Sequence, residues 1–391
     1  ESMTNQIPSG EPPLGALACP EPEDRPDLWP TTARRTPDGE LALGGLTVSE
    51  ILADAPSPVF VLDEADLRGR AASWSAAMAE EFWSGYGLRG GEAFYAGKAF
   101  LTTQVARIVL QEGMGIDTAS RVELAVGLAG LEKVDGPEAT THARRLGLHG
   151  NGKTPAEVTT AVRHRVGHLV IDSPEEVDHA VAAVHELRRS GDFGAGERAR
   201  VMVRLTTGIH AGGHEYISTA HEDQKFGLSV STGAARRAID AIVAADELEL
   251  AGLHSHIGSQ ILDMAGFREA VGVVLGLRHE IAVDTGHLCP EVDLGGGYGI
   301  AYTGADPVAP SPAQVARTLA EAVRETCERL GDEVPTVSIE PGRAVAGPTT
   351  VTLYTVTGLK RVELGEGASR LYVSIDGGMS DNIRPALYEA A

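Results

Sequence analysis

The sequence predicts an α/β fold: a (β/α)8 barrel of the TIM type, followed by the start of a second, mostly antiparallel β domain. Three observations predict it. Short apolar runs alternate with longer amphipathic stretches, and the alternation repeats eight times between residues 64 and 343. Polar residues collect just past the C-terminal end of each apolar run. After Arg343 the rhythm changes to period-two alternation with no helix between the runs. Alternating β and α units with near-continuous apolar strands imply a parallel sheet. Eight of them fit a closed barrel, with a doubly wound open sheet as the alternative.

Taken in order, residues 1–40 are rich in proline (Pro12, Pro13, Pro20, Pro22, Pro26, Pro30) and read as an extended, poorly ordered arm. Residues 41–63 include the run Pro58 to Leu62, a strand joining the β domain. The barrel strands are expected at 92–97, 114–119, 145–150, 168–172, 198–206, 248–256, 291–295 and 336–340. Helical spacing covers 64–82, 101–112, 121–130, 155–166, 174–189, 231–245, 266–284 and 312–330. Residues 344–391 open the second domain, with strands at 349–357 and 370–375.

Composition narrows the function. Lys and Arg number 33 against 55 Asp and Glu, a net charge of −22, which repels nucleic-acid backbones. No apolar stretch is long enough to span a membrane, and the N-terminus lacks the apolar core of a signal peptide. Cys19, Cys289 and Cys327 form no CxxC pair, which points to a reducing compartment and a cytoplasmic protein.

The polar strand ends are the candidate site, because barrel enzymes work at that face. Lys98 ends the first strand behind Phe94 and Tyr95; partial desolvation there would lower its pKa and favour the amine that attacks a carbonyl. Asp117 follows the second strand, His149 and Asn151 the third, Asp172 the fourth, and Arg204 ends the fifth. His254 and His256, two apart, share a strand face, with Ser259 beyond them. They lack an acidic or cysteine third ligand at a metal-site spacing, so no metal is expected. Gly295, Gly296 and Gly297 could let backbone N–H groups approach a phosphate; a plain tight turn is the other reading. Glu340 and Arg343 flank a rigid Pro-Gly turn. The carboxylate there could meet a protonated ring nitrogen and the guanidinium an anion, or the two could be a surface ion pair.

Together these segments resemble the diaminopimelate decarboxylases. The resemblance rests on Ala96-Gly97-Lys98-Ala99, Leu148 to Asn151, Lys225-Phe226-Gly227, His254 to Gln260, the triple glycine, Glu340 to Arg343, and Asp376 to Tyr388. It implies pyridoxal 5'-phosphate as cofactor, decarboxylation of meso-2,6-diaminopimelate to L-lysine, and a homodimer with active sites at the interface. By motif, Lys98 would bind the cofactor's aldehyde and His256 would lie on its ring. Ser259, Gly295, Gly296, Gly297, Gly342 and Arg343 would hold its phosphate end, and Glu340 its ring nitrogen. Arg343, Arg384 and Tyr388 would bind substrate, and Asp117 and Glu123 match acids near the cofactor. The chain departs from the family at Gly97, where alanine is usual, and at Ser120 to Glu123, which is closer to ornithine-type relatives. The family also continues past Tyr388 with a Cys-Glu pair that this sequence does not show. The alternatives are therefore a decarboxylase of ornithine or carboxynorspermidine type, or a catalytically impaired homologue.

Overall fold

The computed structural model describes residues 20–85, 88–209, 225–365 and 367–388. Cys19 and residues 1–18 of the proline-rich arm lie outside them; residues 20–40 correct the expectation of an extended arm, forming hydrogen-bonded turns and the strand Arg34–Arg35. The chain divides into two compact units: Leu62–Ile300 with Ala309–Thr350, and Glu1–Val61 with Ala301–Val308 and Val351–Ala391.

The first unit is the barrel. Its strands are β1 (Gly91–Ala96), β2 (Gly115–Thr118), β3 (Leu146–Leu148), β4 (His168–Ile171), β5 (Ala199–Thr206), β6 (Leu248–Ser255), β7 (Glu291–Asp293) and β8 (Thr336–Ile339). Neighbours in sequence pair in parallel, and β8 closes onto β1 with Val337 opposite Gly91 and Ile339 opposite Ala93. A short extra strand, Leu228–Ser229, adds to β5. The helices are α1 (Glu64–Ala79), α2 (Thr103–Gln111), α3 (Arg121–Asp135), α4 (Pro155–Arg163), α5 (Pro174–Ser190), α6 (Ala234–Ala244), α7 (Ala265–Thr285) and α8 (Pro312–Leu330). The open-sheet alternative is thereby excluded.

Local chemistry sets the helix ends. Thr154 and Glu157 form a capping box with Pro155 in the first turn of α4, and Ser311 and Gln314 do the same for α8. Gly191, Gly286 and Gly331 end α5, α7 and α8 in the left-handed conformation.

Period-two alternation divides each strand between two cores. On β5, Val201, Val203 and Leu205 join the apolar cluster under the helices. Arg200, Met202 and Arg204 take the alternate positions, which point into the barrel. Inside, Val170, Met202 and Ala251 form a small apolar plug, and Phe94 lies against the His168 ring at 4.4 Å between centroids. Above the plug the interior is polar, with Asp117, His149, Asp172, Arg204, His254 and Glu340 all buried.

In the other unit, Arg34–Arg35, Leu41–Leu43 and Leu46–Thr47 make a small antiparallel sheet. Val356–Gly365 and Ala368–Ile375 form an antiparallel hairpin. The single strand expected at 349–357 is broken in two, Thr350–Leu353 and then Val356–Gly365. The break has a local cause: Thr355 donates its N–H to Asp376 Oδ1 instead of to a strand neighbour.

A side chain at position 115 would enter the barrel interior. A Cβ there would lie 2.5 Å from the Phe94 ring and 2.9 Å from Arg145 O. Gly115→Ala should therefore cost about 1–3 kcal/mol, the usual range for overpacking, read from urea unfolding curves. Unchanged stability would show that Phe94 can swing aside.

Candidate active site

Closure of β8 on β1 sets the site. Ala96 donates its N–H to Pro341 O at 3.3 Å, and Gly342 lies so close to Ala96 that a Cβ would sit 2.9 Å from the Ala96 Cβ. Lys98, one short turn past β1, and Glu340, at the end of β8, therefore share one edge of the barrel mouth. Lys98 itself is exposed, which corrects the expectation of a desolvated amine. It leaves β1 in a 3-10 turn, Gly97–Ala99, that carries its side chain out of the apolar wall. Its positive charge still acts on Asp117, Glu340 and His256. Position 97 favours glycine, because a Cβ there would lie 3.0 Å from Asp117 O and from Leu101 Cδ2.

Beneath Lys98 lies a buried cluster. His149 Nε2 stands 3.0 Å from Asp117 Oδ1 and 3.3 Å from Glu340 Oε1, and His254 Nε2 stands 3.1 Å from the same Glu340 oxygen. These are close approaches without hydrogen-bond alignment. All of these atoms, with His254 Nδ1, lack a hydrogen-bond partner. Burial holds Asp117 well above the usual carboxylate range, reinforced by the charge of Glu340. Burial also raises Glu340, opposed by the charges of Lys98 and Arg204. His149 is lowered by burial and then by its neighbour His254, so it is a neutral imidazole. His254 is pushed down to about 3, again chiefly by burial.

The anion side is built from three loops. Ile261 donates to Gly297 O and Gly299 to Ile261 O, both at 2.9 Å, which joins the loop after β6 to the glycine run after β7. Arg343 Nη2 donates to Ser259 Oγ at 3.1 Å. At Gly295, Gly296 and Gly297 a Cβ would collide with the carbonyls of Ser255, Glu340 and Gly258 respectively. The glycines are thus required by close backbone approach between the loops, but the Gly295 N–H goes to Asp293 Oδ1 at 2.8 Å and the Gly296 N–H to His256 Nδ1, which corrects the expectation that all three could face a phosphate. His256 is buried, and its Nδ1 accepts the Gly296 N–H at 3.2 Å. The ring proton is then on Nε2, and burial followed by the Lys98 charge keeps the imidazole neutral.

Sequence reasoning left His149, His254, Arg204 and Asp172 out of the cofactor set. The signal was present as polar residues at alternate, inward positions of apolar strands. The pair His254 and His256 does not act together: donor atoms of His254, His149 and Glu340 lie within 4.8 Å of one another, while His256 turns to the glycine run. Glu340 is more than 80 residues from His254, so no local spacing could reveal it. Glu123 does not reach the cluster: it accepts the Ala119 N–H at 2.6 Å and receives its own cap from Ser120. Arg384 and Tyr388 lie in the hairpin unit, in the helix Arg384–Tyr388, where the exposed Arg384 guanidinium is 5.9 Å from the centre of the Tyr302 ring.

A buried acid, one of whose oxygens lacks a hydrogen-bond partner, below Lys98 and beside a glycine-lined turn with Ser259 and Arg343, fits pyridoxal phosphate. The ring nitrogen would satisfy Glu340 and the phosphate would meet the cradle. The fold and site thus define a pyridoxal-phosphate-dependent decarboxylase barrel. The model for the pyridoxal-dependent decarboxylase pyridoxal-binding domain matches residues 66–347. The diaminopimelate decarboxylase of Mycobacterium tuberculosis (strain ATCC 25618 / H37Rv) is 42% identical over 372 residues, covering 93% of this chain and 76% of the relative. That of Bacillus subtilis (strain 168) is 35% identical over 359 residues, covering 92% and 75%. The structure of the M. jannaschii diaminopimelate decarboxylase with L-lysine superposes with a TM-score of 0.79 at 26% identity, covering 92% of this chain and 76% of that one. The chain belongs to the diaminopimelate decarboxylase family.

Acid should destabilise the site. Between the unfolded histidine value of 6.5 and about 3, the unfolded chain binds a proton that folded His254 refuses. Stability therefore falls as pH drops below 6.5, by about 1.4 kcal/mol per pH unit for one such group. The raised Asp117 and Glu340 act in the opposite sense, so the comparison must be made against a variant. The loss of unfolding free energy on going from about pH 7 to about pH 5.5 should be smaller in His254→Asn by about 1 kcal/mol. Equal losses in both proteins would mean that His254 is not held neutral.

Proposed function

We propose that this chain decarboxylates meso-2,6-diaminopimelate to L-lysine and carbon dioxide with pyridoxal 5'-phosphate, a step of lysine biosynthesis. Membership of the family supports this reading. The observation that carries it is the buried Glu340 carboxylate, its Oε1 without a hydrogen-bond partner, sharing the barrel mouth with Lys98.

Lys98 Nζ would hold the cofactor covalently until the substrate amine takes its place. Ser259, Gly297 and Arg343 would hold the phosphate, the Gly295 and Gly296 N–H groups being donated to Asp293 Oδ1 and His256 Nδ1, and His256 would lie against the ring. When bound, the cofactor supplies an electron sink for the pair released as the bond from Cα to the departing carboxylate breaks. The rest of the work falls to the protein. Glu340 holds a proton on the ring nitrogen, and a positive charge placed there draws the carboxylate toward its ionised form. His149 and His254, both neutral, flank Glu340 without competing as cations. The buried floor of the barrel keeps water from the ring-nitrogen side, which strengthens every electrostatic contact there.

Arg384 and Tyr388 are retained as substrate-binding residues on the resemblance alone, as is a homodimer with active sites at its interface. Exposed Leu359, Leu371 and Val373, on one face of the hairpin, suit an association surface of that kind. No helix among the described residues is long and apolar enough to cross a membrane, and a cytoplasmic enzyme is in keeping with that.

Carbon dioxide release from a panel of meso-diaminopimelate, ornithine and lysine should single out the first. Lys98→Ala should lose both that activity and the visible absorbance of the lysine-bound cofactor; release persisting in this variant would overturn the mechanism. Arg384→Ala should raise KM for the dicarboxylic substrate by roughly tenfold, as expected for truncation of a charge-assisted contact, and an unchanged KM would remove Arg384 from the substrate site.

A further inference from the structure

We propose that the buried ion pair Lys153–Glu176 is a positioning device for the reaction, holding the loop that carries His149 against Asp117 and Glu340. The proposal rests on the functional reading above and concerns residues that touch neither cofactor nor substrate.

Both side chains are almost fully enclosed, Lys153 at 3% and Glu176 at 2% exposure. Lys153 Nζ lies 2.8 Å from Glu176 Oε2 and donates to Gly150 O at 2.7 Å. The same carboxylate accepts two backbone N–H groups, from Lys153 at 3.0 Å and from Asp172 at 2.8 Å. One carboxylate at the start of α5 thus ties together the loops after β3 and β4. The β3 loop is fixed at its other end by His149, which donates its N–H to Thr118 O at 2.7 Å. His149 therefore has little freedom to leave the two carboxylates that its Nε2 approaches.

The tie continues across the mouth. Asp172 Oδ1 accepts the Gly227 N–H at 2.9 Å and stands 3.8 Å from Arg204 Nε. The Arg204 guanidinium lies over the Phe226 ring at 4.7 Å, and its charge acts on both Asp117 and Glu340. Asp172 and Arg204 are the other charged groups that face Lys153.

Energetics favour geometry over stability as the reason for the pair. Taking an ammonium and a carboxylate out of water is costly, and well-packed apolar residues commonly do as well or better for stability. What an apolar pair cannot do is bond three backbone groups of two loops in fixed directions. A misplacement of about 1 Å, even from outside the reacting groups, can cost up to about a hundredfold in rate.

The test uses the holoenzyme and the variants Lys153→Met, Glu176→Gln and the double variant, which removes the pair without leaving an unpaired buried charge. Three quantities are read: kcat and KM for meso-diaminopimelate, the pH midpoint of the bound cofactor's visible absorbance, and the urea unfolding midpoint. The expected result is kcat lowered about tenfold or more with KM within about twofold, and a displaced absorbance midpoint, including in the double variant where folding is retained. A lower urea midpoint with kcat and absorbance midpoint as in the wild type would overturn the proposal and leave the pair a purely structural tie. A wild-type protein that takes up no cofactor would instead overturn the functional reading, and this proposal with it.

Discussion

The pairing of the last barrel strand with the first is the interaction on which the site depends. Lys98 and Glu340 are separated by most of the barrel's sequence, and only the β8–β1 ladder makes them neighbours. The register matters as much as the pairing. Ser338 faces Glu92 across the ladder, and β8 is inward-facing at Ser338 and again at Glu340. A slip of one residue would turn Glu340 toward the helices and leave Ile339 in the interior. The tight approach of Gly342 to Ala96 opposes such a slip, because any side chain at 342 would meet that backbone.

Closure also concentrates titratable groups where water is scarce. Asp117, Glu340, His149, His254 and Arg204, with Asp172 beside Arg204, share the top of the interior, and several of their polar atoms find no partner. Burying such groups costs free energy unless they are paired. The protein keeps the local charge low: burial pushes His149 and His254 toward the neutral imidazole and raises Asp117 and Glu340 toward their protonated forms. That arrangement stores a preference for a ligand that brings a protonated nitrogen to Glu340. A ligand of that kind, by binding the folded state alone, would stabilise it by mass action.

Most of the barrel was legible because its strands are short apolar runs separated by helix-length stretches. All eight strand expectations fall on observed strands, and α8 matches its expected span of 312–330. The glycines, Lys98 and Glu340 were legible because strand ends in a barrel converge whatever the loops do. Other features depended on distances that sequence does not encode. The exposure of Lys98 follows from a three-residue turn. The partnership of His149 with Asp117 follows from adjacent strands whose polar ends are 32 residues apart. The break at Tyr354 and Thr355 follows from an acid at 376 that captures one backbone N–H. The first is a local turn; in the other two a contact between residues distant in sequence overrides the local pattern.

Gly296 shows how few independent choices remain once the barrel is closed. Its N–H occupies His256 Nδ1, and its Cα faces the Glu340 carbonyl too closely for any side chain. Glu340 in turn donates its own N–H to Gly295 O at 2.9 Å. One peptide segment therefore links the anion cradle, the imidazole assigned to the ring face, and the carboxylate assigned to the ring nitrogen. Because Nδ1 is engaged as an acceptor, His256 keeps its single proton on Nε2 and stays neutral. In the proposed function, a cationic imidazole beside the ring would draw on the same carboxylate that is to hold the ring proton. By fixing the tautomer through the backbone of the glycine run, the fold would then leave Glu340 to serve that one proton.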